Sequence, residues 1–298
     1  MKEPEGGVSR RDLIRGGVGV AVARFLGLGP RAAGAAQEAR SRVVLVRDLD
    51  ALDDTGAADP QVVHNMLNRA IAALFDEASA TAGWKRVVGP GDVVGIKSNH
   101  WRRLRTPAVL EEAIRAEVVA AGVSDADVAV DDRGVRSNPV FARATALVNV
   151  RPMRTHDWSG LGTCLKNMIM FTPRPSEYHG DTCASLGAIW KLPQVAGKVR
   201  LNILVMLTPQ FHGVGPHSFS PDFVWPYRGL IVGVDPVAVD TTGARIIQAR
   251  RDLHFGRPSP IRPDPHHILY ADTRYGVGVS DPARIEVVRI GAAEGSLI

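Results

Sequence analysis

Lys97, Ser98 and Asn99 follow an apolar run, Val93 to Ile96, and Arg154 and His156 follow another, Ala146 to Val150. Lys166 and Asn167 begin a stretch with helical character, and His179 lies a little further on. Ammonium, guanidinium and amide groups supply convergent N–H donors, which carboxylate and phosphate groups need. In sheets of parallel strands, ligands bind beyond the carboxyl ends of the strands. The placement of these residues therefore predicts a pocket for a small anionic molecule, bound by Lys97, Asn99, Arg154 and Asn167. A plainer reading stands beside it: Lys97 and Lys166 pair with Asp131, Asp132 or Asp240 and lock the strand ends, since a buried lysine rarely lacks a partner.

His156, His179, His212 and His217 form a second group. Imidazole titrates near neutrality and is also the commonest metal ligand. His156 and His179 are candidates for proton transfer, with Lys166 fixing the substrate. With Asp181 or Asp240, the same two histidines are candidate ligands of a divalent metal in a two-histidine, one-carboxylate arrangement. Their spacing matches no compact zinc motif. The alternative is loop histidines bonded to backbone. Asp235 precedes Pro236 and reads as a helix N-cap. Asp240, one turn further, is read as a carboxylate behind a lysine or histidine and is counted with the ligand site. Cys164 reads as a small hydrophobe, and whether it pairs with Cys183 is open. His266 and His267 read as surface residues. No G-x-S-x-G elbow, Walker loop or dinucleotide loop occurs after the N-terminal segment.

These residues need a scaffold, and the apolar pattern supplies one. Strands are expected at residues 42–47, 93–97, 127–131, 146–150, 199–207, 230–234 and 284–290. Helices are expected from Asp59-Pro60 to about Ala80, from Thr106-Pro107 to Gly122, near 161–170 and 182–191, and from Asp235-Pro236 to about Arg250. Strand–helix alternation predicts an α/β fold: a mostly parallel, Rossmann-like sheet with helices on both faces. The middle segment, Arg151 to Trp225, is rich in Pro, Gly and His. Residues 257–265 are expected to form the most mobile loop.

The chain has 298 residues, 45% hydrophobic and 22% charged, enough apolar material for a sizeable core. Two cysteines exclude a disulfide framework, a four-thiolate zinc site and a ferredoxin-type cluster, and no iron–sulfur cluster is expected. No apolar run approaches the ~18 residues of a membrane span, so no permanent transmembrane segment is expected. The net charge is +5, and residues 1–36 carry much of it: Lys2, Arg10, Arg11, Arg15, Arg24 and Arg31 against Glu3, Glu5 and Asp12. The nearly neutral remainder gives no reason to expect a nucleic-acid partner.

Ser9-Arg10-Arg11-Asp12-Leu13-Ile14-Arg15 has the form of a twin-arginine export signal. A Gly-rich, weakly apolar stretch follows, then Ala33-Gly34-Ala35, an A-x-A cleavage site. Residues 1–36 are therefore expected to be a signal peptide, the twin-arginine translocase a partner during export, and the destination the periplasm or another site reached by that export route. Residues 37–298 would form one α/β domain.

The same chain resembles the DUF362 family. Residues Gly91 to Asn99 (GDVVGIKSN) resemble its G-D-x-V-x-I-K-P-N segment. Residues Val148 to His156 (VNVRPMRTH) resemble i-N-x-P-x-x-K-T-H, Leu165-Lys166-Asn167 matches L-K-N, and His179 matches the histidine that follows. Residues Gly229 to Asp240 match its block ending in G-x-D-P-V-A-V-D. Ser98 and Arg154 stand where the family usually has Pro and Lys. Many relatives carry a ferredoxin-like, Cys-rich insert that this chain lacks. The resemblance implies the fold and the place of the site. It leaves open an enzyme performing proton transfer or redox chemistry on an anionic small molecule, or a non-catalytic binding or electron-transfer accessory protein.

Overall fold

The computed structural model describes residues 40–215 and 219–298. The segment expected to be a signal peptide and His217 lie outside the described residues. Eight strands make one sheet: β1 (Ser41–Arg47), β2 (Val94–Lys97), β3 (Val128–Asp131), β4 (Ala146–His156), β5 (Gly160–Gly162), β6 (Val199–Gly215), β7 (Gly229–Gly233) and β8 (Ile285–Gly291). Their order is β3-β2-β4-β6-β7-β1-β8, with β5 added to the end of β4. The β3–β2, β2–β4, β4–β6 and β1–β8 pairs are parallel; β7 runs against both β6 and β1. The sheet is thus mixed but mostly parallel, with β7 the reversed strand of its main path.

Strand residues alternate between two cores. Val44, Val46, Val148, Ile203 and Val232 join one, while Val43, Leu45, Leu147, Leu204 and Ile231 join the other. Burial on both faces explains why these strands read as continuous apolar runs. Helices α1 (Pro60–Phe75), α2 (Ala80–Val87) and α3 (Ala108–Ala120) cover the first face. Asp59 caps α1 by accepting from the Val62 amide at 2.8 Å. Val63, Met66, Leu67, Ala70, Ile71 and Leu74 form its buried stripe, at the three- and four-residue spacing of one helix face. The opposite face is covered by the short helix α4 (Cys164–Asn167), by α5 (Pro236–Phe255) and by α6 (His266–Thr273).

Several boundaries differ from the sequence expectation. Helix α1 stops at Phe75 because Asp76 turns left-handed (φ 56°), and Ser79 then caps α2. The stretch expected as a helix over 161–170 divides into β5, α4 and a 3-10 turn. Residues 257–265 are pinned rather than free: Arg251 donates to the Ser259 and Pro260 carbonyls, and Asp252 accepts the Ser259 amide. His267, expected at the surface, is fully buried in α6, whereas His266 stacks on Tyr270. Among the described residues no helix is long and apolar enough to cross a membrane.

Candidate functional site: a buried cationic pocket

Strand β4 outruns its neighbours. β2 ends at Lys97 and β3 at Asp131, whereas β4 continues through Arg151, Arg154 and His156 by pairing with β6 and then β5. Arg154 and His156 therefore lie within the strand, not after it. The alternation that sends Leu147 to the second core sends Asn149 and Arg151 the same way, toward α4. At this rim lies a pocket of about 240 Å³, lined by Asn99, Asp132, Arg151, Arg154, His156, Lys166, Asn167 and His179, with Trp101 and Trp158 among its walls.

Its floor is a satisfied polar network. Lys97, with no exposed surface, donates Nζ to Asp132 at 2.6 Å, to the Ser98 carbonyl at 2.5 Å and to Asn167 Oδ1 at 3.4 Å. Burial lowers its pKa to about 8 against the pull of Asp132. Burial pushes the Asp132 carboxyl the other way, but Lys97 and the His100 amide outweigh it and hold it below its ordinary value. Asn167 donates to Asn149 Oδ1 at 2.8 Å and to the carbonyls of Lys97 and Val150. Asn149 passes the chain on to Asn202 at 2.9 Å, and Asn202 to the Val234 carbonyl. So Lys97 sits just behind the pocket, held by a carboxylate, as the plainer sequence reading had it.

The walls are different in kind. Arg151 is 3% exposed, yet its guanidinium makes no hydrogen bond to any described residue, and Nε is fully enclosed without a partner. Gly162 gives it room: a Cβ there would lie 2.7 Å from Nη2. Burial lowers the Arg151 pKa to about 10, opposed by Asp132. Arg154 donates to Asn99 Oδ1 at 3.0 Å and stacks over Trp101, 4.5 Å from the ring centre. Burial, and then Arg151, lower its pKa strongly. Lys166 is 3% exposed and donates to Cys183 Sγ at 3.3 Å; among the described residues no carboxylate forms an ion pair with its Nζ. Its pKa falls to about 8, chiefly through burial. Among the described lining residues Asp132 is the single acid, and Lys97 already balances it.

Both pocket histidines are held neutral. His156 Nδ1 accepts from the Trp158 amide at 3.2 Å, with the Asp157 carboxylate at the same distance. Burial and the neighbouring Lys166, Arg151 and Arg154 push its pKa far down. His179 stacks on Trp158 at 4.1 Å between ring centres, and burial with Lys166 lowers its pKa to about 4. The strand end turns at Gly160, whose φ of +69° suits the hairpin into β5.

The structure thus brings Asn99, Arg154, His156, Lys166, Asn167 and His179 to one pocket, with Lys97 behind it. Asp240 is elsewhere. Fully buried in α5, it accepts from Thr163 Oγ1 at 2.5 Å and from the Cys164 and Leu165 amides at 2.9 and 2.8 Å, capping α4 from a distance. Burial raises its pKa to about 7. The expected two-histidine, one-carboxylate centre is not assembled: no group of three His, Cys, Asp or Glu suited to a metal occurs among the described residues. The guanidinium groups also make the pocket hostile to a cation. His212 contacts Arg251 and Phe223, outside the pocket lining. Cys164 and Cys183 are both buried, free thiols. Arg151 is the residue that sequence reasoning missed. Its signal was a charge inside the run Ala146–Met153, two places after Asn149 and so on the same face.

Fold and site define an α/β protein with a buried, positively charged pocket at its strand ends. A family model described as "Domain of unknown function (DUF362)" matches residues 49–245, more than half of the chain, and the chain belongs to that family. No curated protein and no solved structure matches it.

Proposed function

We propose that this protein binds a small anionic molecule in the Arg151–Arg154–Lys166 pocket and performs proton-transfer chemistry on it. The carrying observation is Arg151: a buried guanidinium that makes no hydrogen bond and no salt bridge to any described residue, with Nε enclosed and unpartnered. Leaving such a charge unpaired costs several kcal/mol, and a bound carboxylate or phosphate offsets that cost through bidentate hydrogen bonds. A second hollow sharing Arg133, Met170 and Pro175 with the pocket adds Arg136 at its rim, extending the attractive field outward.

Within the pocket, Arg151 and Arg154 orient the anion, and the Asn99 amide side chain holds Arg154 in place. His156 and His179, kept neutral, are able to accept a proton from a bound substrate and return it. Calorimetric titration with oxalate, sulfate and phosphate tests the reading: stoichiometric, salt-sensitive binding that depends on Arg151 supports it, and absence of binding to all three opposes it. Conversion of a captured ligand, lost in His156→Gln or His179→Gln, distinguishes an enzyme from a carrier.

We also propose export by the twin-arginine route to the periplasm, on the strength of Ser9 to Arg15 and Ala33-Gly34-Ala35. Replacing Arg10 and Arg11 by lysine should retain the protein in the cytoplasm; unchanged fractionation would refute export by this route.

A further inference from the structure

The two buried lysines of this site are not equivalent. Lys97 directs its ammonium at a carboxylate, a carbonyl and an amide oxygen, none farther than 3.4 Å. Lys166, equally buried in practice, makes one hydrogen bond from Nζ among the described residues, to a thiol sulfur at 3.3 Å. It lines the pocket beside Arg151, Arg154 and both imidazoles. Its neighbour Cys183 ends three successive residues with positive φ, Asp181 (45°), Thr182 (49°) and Cys183 (64°). Non-glycine residues rarely adopt that region, and this turn holds the sulfur, rather than an acid, against the amine.

An amine kept from carboxylates and set among cations is the arrangement that makes lysine nucleophilic. We propose that Lys166 forms a Schiff base with a 2-oxo acid whose carboxylate is held by Arg151. The proposal rests on the anion-pocket reading and names its substrate class. The carboxylate and the adjacent ketone of such a molecule match a guanidinium and an amine lining one small pocket. The Lys166 lone pair forms a C–N bond to the ketone carbon, and the carbonyl π electrons move to oxygen. The two protons leaving nitrogen pass to that oxygen through His156 or His179. The C–O bond then breaks, water departs, and the nitrogen lone pair closes the C=N bond. The sum is ketone plus amine giving imine plus water, with no change of oxidation state. The pKa of Lys166, lowered to about 8, leaves a useful fraction of free amine near neutrality.

The test uses the folded protein with pyruvate and sodium cyanoborohydride, read by intact mass and peptide mapping. The expected result is one reduced pyruvate per chain on Lys166, labelled about tenfold faster than surface Lys85 or Lys191, blocked by oxalate, and faster as pH rises through about 8. Lys166→Arg should lose the label yet still bind oxalate, which also shows that the variant folds. Peptide mapping and oxalate protection in the unaltered protein stand without the variant. Label absent from Lys166, or spread over Lys85 and Lys191 without oxalate protection, overturns the proposal. Oxalate binding without labelling would leave the anion site standing and remove only the Schiff base; failure of both would remove the two together.

Discussion

Asn167 donates its side-chain amide to the Lys97 carbonyl at 3.1 Å, while Lys97 Nζ returns a longer bond to Asn167 Oδ1 at 3.4 Å. This reciprocal contact stitches α4 to the end of β2. It makes Asn167 as much a fastener as a pocket wall. Asn167→Leu removes the donor from three buried acceptors, Lys97 O, Asn149 Oδ1 and Val150 O. The expected loss is about 3 kcal/mol of stability, read from the urea midpoint. A midpoint within experimental error of the parent would show that this network contributes little.

The Lys97–Asp132 pair should govern part of the acid sensitivity. Asp132 has a lowered pKa in the folded chain, so its contribution is full above the unfolded carboxyl pKa of about 3.9 and disappears as pH falls through the folded value. Asp132→Asn should therefore destabilise the protein at neutral pH by about 3–5 kcal/mol and flatten the acid limb of stability against pH. A parallel offset, with the acid limb unchanged in slope, would count against the pair.

Anion affinity should fall at alkaline pH. Lys166 is lowered to about 8, so it loses its charge as pH rises past that value, and the pocket loses attraction for an anion. His179, lowered to about 4, and His156, lower still, are already neutral and add no inflection in the unliganded protein near pH 6.5, the ordinary imidazole value. Lys166→Arg should remove most of the fall, the remainder tracking Lys97, which also stands at about 8. Calorimetry with oxalate across this range checks the sign; affinity that rises with pH would refute it.

Asp240 makes a separate structural claim. Its carboxylate accepts three hydrogen bonds at the start of α4, and α4 carries both Lys166 and Asn167. Asp240→Ala should cost about 3 kcal/mol and also loosen the pocket, seen as faster hydrogen exchange across residues 163–167. Protection unchanged in that segment would mean that α4 is held by packing alone.

Much of this arrangement was legible in the sequence because apolar runs mark strands buried on both faces, and because Lys97, Arg154, Lys166 and His179 lie in blocks resembling one family. What stayed hidden has a physical reason. Strand β4 continues through Arg151, Arg154 and His156 because β5 and β6 pair with it, and long-range pairing leaves no apolar signal in polar residues. Asp240 looked like a site carboxylate because nothing in the chain between 165 and 240 reveals that α5 brings it under the first turn of α4. His267 looked exposed beside His266, yet the inward face of α6 takes it fully into the core.

Arg151 is buried without a hydrogen bond to any described residue, and a ligand anion is proposed to complete it. Oxalate affinity and urea stability, measured together in Arg151→Met, decide the matter. The expected outcome is affinity weakened by about 100-fold with stability unchanged or raised, since a charge without a hydrogen-bonding partner has been replaced by an apolar side chain of similar length. Full oxalate affinity in the variant, or a protein destabilised as though an internal salt bridge had been cut, would contradict it.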